Sequence, residues 1–176
     1  PRDEAQQESV FRAQLRLASR RNLPVMIHCL RAWGWLMDVL HAEPALPPAM
    51  VIHAYGGSAE LIEPLAALNA YFSFAGNVFE PKRHKAREAL QAVPLDRLLI
   101  ETDAPYMLPP VEFREHEIAG ADGTVHNEPA NLRAIVGGVA AIRGESEQAI
   151  ADAVWDNARR MLGPKLWMSD LPESSG

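Results

Sequence analysis

Cysteine is almost absent from this chain, and the single Cys29 excludes an internal disulfide. A reducing compartment suits that composition, so a cytoplasmic location is expected. Long apolar runs are missing too. No stretch of about eighteen apolar residues is present to cross a bilayer, and no signal-peptide pattern opens the chain. No membrane partner is therefore expected, and no motif marks a protein partner. Nor is there an excess of positive charge. The formal net charge of −6 excludes a broad electrostatic footprint for nucleic acid. It does not exclude nucleic acid as a substrate, because bound divalent cations add positive charge that a residue count omits. An initiating methionine is also lacking. The chain opens on Pro1, which reads as a segment of something longer.

What is present reads as one soluble α/β domain. At 176 residues, 48% hydrophobic and 23% charged, the chain has enough apolar content for a sizeable core. Phe11, Leu15 and Ala18 fall on one face of a helix expected from Asp3 to about Arg21. Strands are expected at Pro24 to His28, Met50 to His53, Tyr71 to Ala75 and Arg97 to Ile100. Helical patterns separate them: around Trp33 to Leu40, from Ala59 to Leu68 with Ser58 as N-cap, and from Pro81 to about Gln91. An irregular stretch to His126 then precedes two final helices, about Pro129 to Ile142 and Ser146 to Leu162. The domain is placed at residues 1–164, with 165–176 as a frayed tail. Four or more strands, each followed by a helix, fall short of the eight that close a parallel barrel. Either the sheet is open and doubly wound, or the front of a barrel is missing.

Three strands end in metal-ligating residue types. Pro24-Val25-Met26-Ile27-His28 and Met50-Val51-Ile52-His53 end in histidines, and Leu98-Leu99-Ile100-Glu101-Thr102-Asp103 ends in two carboxylates. His28 and His53 are 25 positions apart, and His53 and Asp103 are 50 apart, one and then two β/α units. That spacing places His28, His53 and Asp103 on one rim of a parallel sheet as candidate metal ligands. Zinc, manganese and, less readily, magnesium suit such a set. Asp103 is also a candidate for taking the proton of an attacking water, and Glu101 for orienting a ligand or contacting substrate. Tyr55-Gly56-Gly57-Ser58 leads into a helix N-terminus able to hold a phosphate. Taken singly, each residue has an ordinary structural reading: a hydrogen-bonded rim histidine, a turn aspartate, a tight βα turn. The basic run Lys82, Arg83, His84, Lys85 and Arg87 reads as a solvated helix face or a phosphate grip.

The phrases PVMIHC, VIHAYGGS, LLIETDAPY and HNEPANL, with Asn157-Ala158-Arg159-Arg160-Met161-Leu162, resemble the TatD family of metal-dependent deoxyribonucleases. The resemblance runs from about Arg2 to Leu162 and keeps the family's order. It implies a TIM-type metal-dependent hydrolase barrel and hydrolysis of DNA phosphodiesters, with exonuclease-like trimming. It implies two divalent ions in the complete site, with His28 and His53 on one metal and Asp103 at the other metal and the water. Tyr55, Gly56, Gly57, Arg31 and Asn127 are the candidate substrate contacts. Two departures stand out. The family's opening H-x-H phrase and its G-E-x-G-L-D phrase are not in this chain, and Leu30 stands where the family often has arginine, with Arg31 one place later. The expectation is that the parent is a nuclease and that this segment alone is weakly active or inactive. The alternatives are a barrel hydrolase acting on a lactone, amide or small phosphoester, and a non-catalytic scaffold or strand-exchanged oligomer.

Overall fold

The structure, a computed structural model, describes residues 3–163, so the expected tail at 165–176 lies outside the described residues. Helix α1 (Glu4–Arg21) starts where the Asp3 carboxylate accepts the Gln6 N–H at 2.9 Å, and it ends at Asn22 in a left-handed conformation, φ 52. Then come β1 (Val25–His28), α2 (Trp33–Ala42), β2 (Met50–His53) and α3 (Ile62–Ala67). Strand β3 (Ala70–Phe74), helix α4 (His84–Ala92) and strand β4 (Leu98–Ile100) complete the β/α alternation.

All four strands are parallel and lie in sequence order, β1-β2-β3-β4. The register pairs His28 with His53 directly, so both strand-end histidines share one rim. Both faces of the sheet are apolar, as buried parallel sheets require. Met50, Ile52, Phe72 and Leu98 pack on one face with Leu36, Leu65, Leu90 and Ile135. Val51, Tyr71 and Leu99 pack on the other against Val154, Ala158 and Met161 of α6 (Glu147–Leu162). Helix α6 is tied to the far end of the sheet, where the Asn157 amide donates to Leu95 O at 2.8 Å and Leu98 O at 2.7 Å. The covering is incomplete at β1, where Met26, the register partner of Val51, is 66% exposed. The four-stranded sheet is open, and among the described residues no barrel closes.

Three expectations need correction. The stretch after Pro105 is not irregular throughout. It folds back as a hairpin of β5 (Glu117–Ala119) and β6 (Val125–Asn127), turning through Gly123 at φ 81, before α5 (Leu132–Arg143). The helix after Ser58 begins as a 3₁₀ turn, Ala59–Leu61, and Ser58 makes no side-chain cap. Pro81 does not open α4, because Arg87 donates to the carbonyls of Glu80 and Pro81 and holds that segment as a turn.

Helix α1 is fastened by a three-residue ion cluster. Glu43, whose side chain is 0% exposed, accepts from Arg12 Nη1 at 2.7 Å and from Arg16 Nε at 2.7 Å. Arg16 and Arg12 hold the Glu43 carboxyl below the usual carboxylate range, against the opposing effect of burial. A lowered folded-state pKa contributes stability above the ordinary glutamate value of 4.5 and loses it as pH falls below that value. Glu43→Gln should therefore lower the melting temperature near neutral pH. The gap to wild type should narrow in acid, as thermal melts at a series of pH values will show.

Candidate metal centre

The rim is built around His53. Its Nδ1 lies 2.9 Å from Glu101 Oε2, and its Nε2 lies 3.4 Å from Asp103 Oδ1. Glu101 extends the β4 ladder by donating its N–H to Phe74 O at 3.0 Å, which brings its carboxylate back over β2 and β3. Asp103 does not follow strand alternation. It has φ 56, a left-handed conformation uncommon outside glycine, asparagine and aspartate, and this turns its side chain toward the other ring nitrogen. The two carboxylates thus flank the same imidazole from opposite sides.

Ser73, which belongs to none of the sequence motifs, completes the arrangement. It is 3% exposed on β3, receives the Ala54 N–H at 3.2 Å and donates its own proton to Glu101 Oε2 at 2.6 Å. The signal was a lone hydroxyl in the apolar strand Ala70–Phe74. Glu101 Oε2 therefore accepts two hydrogen bonds, while Glu101 Oε1 is buried with no partner among the described residues.

This geometry fits a cation in kind. His53 carries a carboxylate oxygen on each ring nitrogen, and such an arrangement is satisfied at Nε2 by a proton or by a bound cation. The orphaned Glu101 oxygen adds an unsatisfied negative atom at the same corner. His28 stands beside His53 with ring centroids 5.6 Å apart and is exposed. Among the described residues, no three His, Cys, Asp or Glu side chains are gathered tightly enough to close a metal shell. The donors are thus of the right type, and the shell is partial. A cleft of about 800 Å³ lies beside His28, walled by Gln7, Phe11 and Gln14 of α1 and by Cys29 and Leu30. Burial pushes the Cys29 thiol up, so it faces this cleft in its protonated form.

The candidate substrate residues divide into two groups. Gly56 and Arg31 are exposed, Arg31 with φ 58. Tyr55, Gly57 and Asn127 are packed into the fold instead. Tyr55 is 3% exposed, its ring meets Trp33, Phe72 and Phe74, and its hydroxyl donates to Ser58 O at 2.7 Å. Burial pushes its phenol well above the ordinary range. Asn127 is 1% exposed and spends its amide on backbone groups. Trp33 and Trp35 are both packed, Trp35 on Phe11 with its indole N–H donated to Glu8 at 3.0 Å. Lys82, Arg83, His84 and Lys85 stay exposed at the start of α4.

The turn explains which glycine is needed. A Cβ on Gly57 would lie 2.4 Å from Tyr55 Oη, and that ring is held by its neighbours and by Ser58. A Cβ on Gly56 meets only Ala54 O at 3.9 Å. Gly57→Ala should destabilise by about 1–3 kcal/mol, whereas Gly56→Ala should stay within about 0.5 kcal/mol of wild type. Urea unfolding of the two variants checks the contrast.

Comparison with known proteins agrees with this architecture. The TatD related DNase family matches residues 1–163. A protein named 3′-5′ ssDNA/RNA exonuclease TatD from Pantoea vagans is 39% identical over 160 residues, covering 89% of this chain and 58% of that protein. An uncharacterized metal-dependent hydrolase, YabD of Bacillus subtilis, is 33% identical over 156 residues, covering 89% of this chain and 57% of the relative. The crystal structure of YJJV, a TatD homolog from Escherichia coli K12, superposes with a TM-score of 0.75 at 28% identity, over 90% of this chain and 57% of that one. A TatD family hydrolase from Entamoeba histolytica shares the fold, with a TM-score of 0.71 at 22% identity, over 92% of this chain and 58% of that one. The four parallel strands belong to an α/β fold of the TIM-barrel type. The chain spans less than two thirds of the length of these relatives.

Proposed function

The chain belongs to the TatD related DNase family, and from that premise we propose that it is a metal-dependent hydrolase cleaving phosphodiester bonds of single-stranded nucleic acid by trimming from the 3′ end. One observation carries the reading: the His53 ring set between Glu101 on Nδ1 and Asp103 on Nε2. The Pantoea vagans relative, named a 3′-5′ ssDNA/RNA exonuclease, supports the substrate class.

His28, His53 and Asp103 are the residues that would hold a divalent ion of the zinc, manganese or magnesium type. Such an ion supplies positive charge to a phosphoryl oxygen and lowers the pKa of water. Glu101 holds the His53 ring by accepting its Nδ1 proton, which keeps Nε2 free to bind. Asp103 accepts the proton of the attacking water. The water oxygen would then bond to phosphorus as the phosphorus–oxygen bond to the rest of the strand breaks, and the departing oxygen of the strand would take up the proton held by Asp103. Gly56 and Arg31, exposed after β2 and β1, are proposed to meet the substrate backbone.

The test is a 5′-labelled single-stranded DNA incubated with the protein and Mn²⁺, Mg²⁺ or Zn²⁺ in turn. Metal-dependent shortening from the 3′ end is expected, slow in this segment taken alone, and Asp103→Asn should lower its rate by about 10²-fold or more. Trimming that survives Asp103→Asn unchanged would overturn the assignment. Hydrolysis of a lactone or carboxamide panel with the DNA left intact would overturn the substrate class.

A further inference from the structure

Asn127 was a candidate substrate contact from its place in HNEPANL, yet its side chain has no hydrogen-bonding capacity left for a ligand. Its two amide protons go to Thr102 O at 2.8 Å and Met107 O at 3.2 Å. Its Oδ1 accepts from Glu128 N at 2.9 Å and from Asn131 Nδ2 at 2.9 Å. Its backbone N–H goes to Pro105 O at 2.9 Å. Thr102, Pro105 and Met107 belong to the turn that carries Asp103, and this one residue therefore satisfies three of that turn's carbonyl groups.

Asn131 repeats the pattern one step outward. It is 0% exposed, its Oδ1 accepts from Glu115 N at 3.0 Å and His116 N at 2.8 Å, and its Nδ2 donates to His116 O at 2.7 Å. The two amides thus clasp the base of the β5–β6 hairpin to the Asp103 turn. The turn needs such support. Asp103 and Met107 both have left-handed backbones, at φ 56 and φ 50, and within itself the turn makes Tyr106 N–H to Asp103 O at 2.9 Å and Ala104 N–H to Thr102 Oγ1 at 3.3 Å. A left-handed non-glycine residue persists where its surroundings over-determine it.

We infer that Asn127 is a positioning residue, backed by Asn131, that holds the Thr102–Met107 turn so that Asp103 stays beside His53 Nε2. The inference rests on the proposed role of Asp103, and two independent readouts separate them. The first is amide hydrogen exchange. In Asn127→Ala the Tyr106 amide should lose at least about tenfold of its protection, while the Glu101 amide, bonded to Phe74 O, keeps its own. The second is Mn²⁺ affinity, followed by the paramagnetic signal of the free ion, which should fall by about 10–100-fold. Asn127→Asp fills the same space but sets oxygens against the carbonyls of Thr102 and Met107, so it should fail to restore either readout. Asn131→Ala should move both in the same direction by less, and it decides the matter if Asn127→Ala does not fold.

Unchanged Tyr106 protection in Asn127→Ala, or in Asn131→Ala should the first variant not fold, would overturn the inference. So would recovery in Asn127→Asp, or a loosened turn with wild-type Mn²⁺ affinity. If the wild-type protein binds no Mn²⁺ while the exchange results hold, Asn127 still positions the turn and the reading of Asp103 is the one that fails.

Discussion

The rim of this sheet depends on one oxygen atom. Glu101 Oε2 accepts the Ser73 hydroxyl at 2.6 Å and faces His53 Nδ1 at 2.9 Å, and so joins the ends of β2, β3 and β4. Parallel strands bring their ends together, but side chains at those ends remain free to choose rotamers. A carboxylate shared by a hydroxyl and an imidazole removes that freedom. It also fixes the orientation of the imidazole, with Nδ1 on Glu101 and Nε2 toward Asp103. Without Glu101, His53 would be a rim histidine like any other. With it, the ring turns its Nε2 in one direction, and Asp103 stands in that direction.

The rest of the chain applies the same device farther out. Buried polar side chains here tend to tie the ends of elements together rather than sit inside them. Glu43 fastens the end of α2 to α1 through Arg12 and Arg16, and Asn157 fastens α6 to the start of β4. Asn127 and Asn131 fasten the hairpin base and the Asp103 turn. Each is satisfied by more than one partner, as burial of a polar group demands. The apolar core positions the strands to within a register, and these polar clasps settle what the strand ends carry.

That division explains what was legible in the residues. The strands, their parallel order and the alignment of His28 with His53 follow from apolar runs and a repeat length, both local and periodic properties. Asp103 and Glu101 were legible as residues but not in their placement. Strand alternation puts them on one side, whereas the left-handed backbone at Asp103 brings them to opposite nitrogens of His53. Ser73 to Glu101, Asn131 to Glu115 and Glu43 to Arg12 act across 16 to 31 positions of sequence, and no short-range pattern marks such pairs. Tyr55 and Asn127 show the converse. They lie in distinctive phrases that suggest substrate contacts, and the structure commits both to packing and to carbonyl groups. A conspicuous motif marks a constraint, and constraint arises as readily from holding a turn as from touching a ligand.

Charge decides how such a corner can meet a polyanion. The chain carries a net −6, and at the centre of its rim two carboxylates flank one imidazole, with a buried carboxylate oxygen unpaired. Left alone, that corner repels a phosphodiester. The exposed cations Lys82, Arg83 and Lys85 lie at the start of α4, and Lys82 is paired there with Glu80 at 3.1 Å. Placing basic residues at a helix N-terminus also works against the helix dipole. The phosphodiester hydrolysis proposed above would therefore draw on positive charge beyond these two carboxylates, from exposed Arg31 and from a bound cation, and His53 Nε2 beside Asp103 is the place proposed to receive that cation. The proposed metal dependence would then be a consequence of the charge balance around His53.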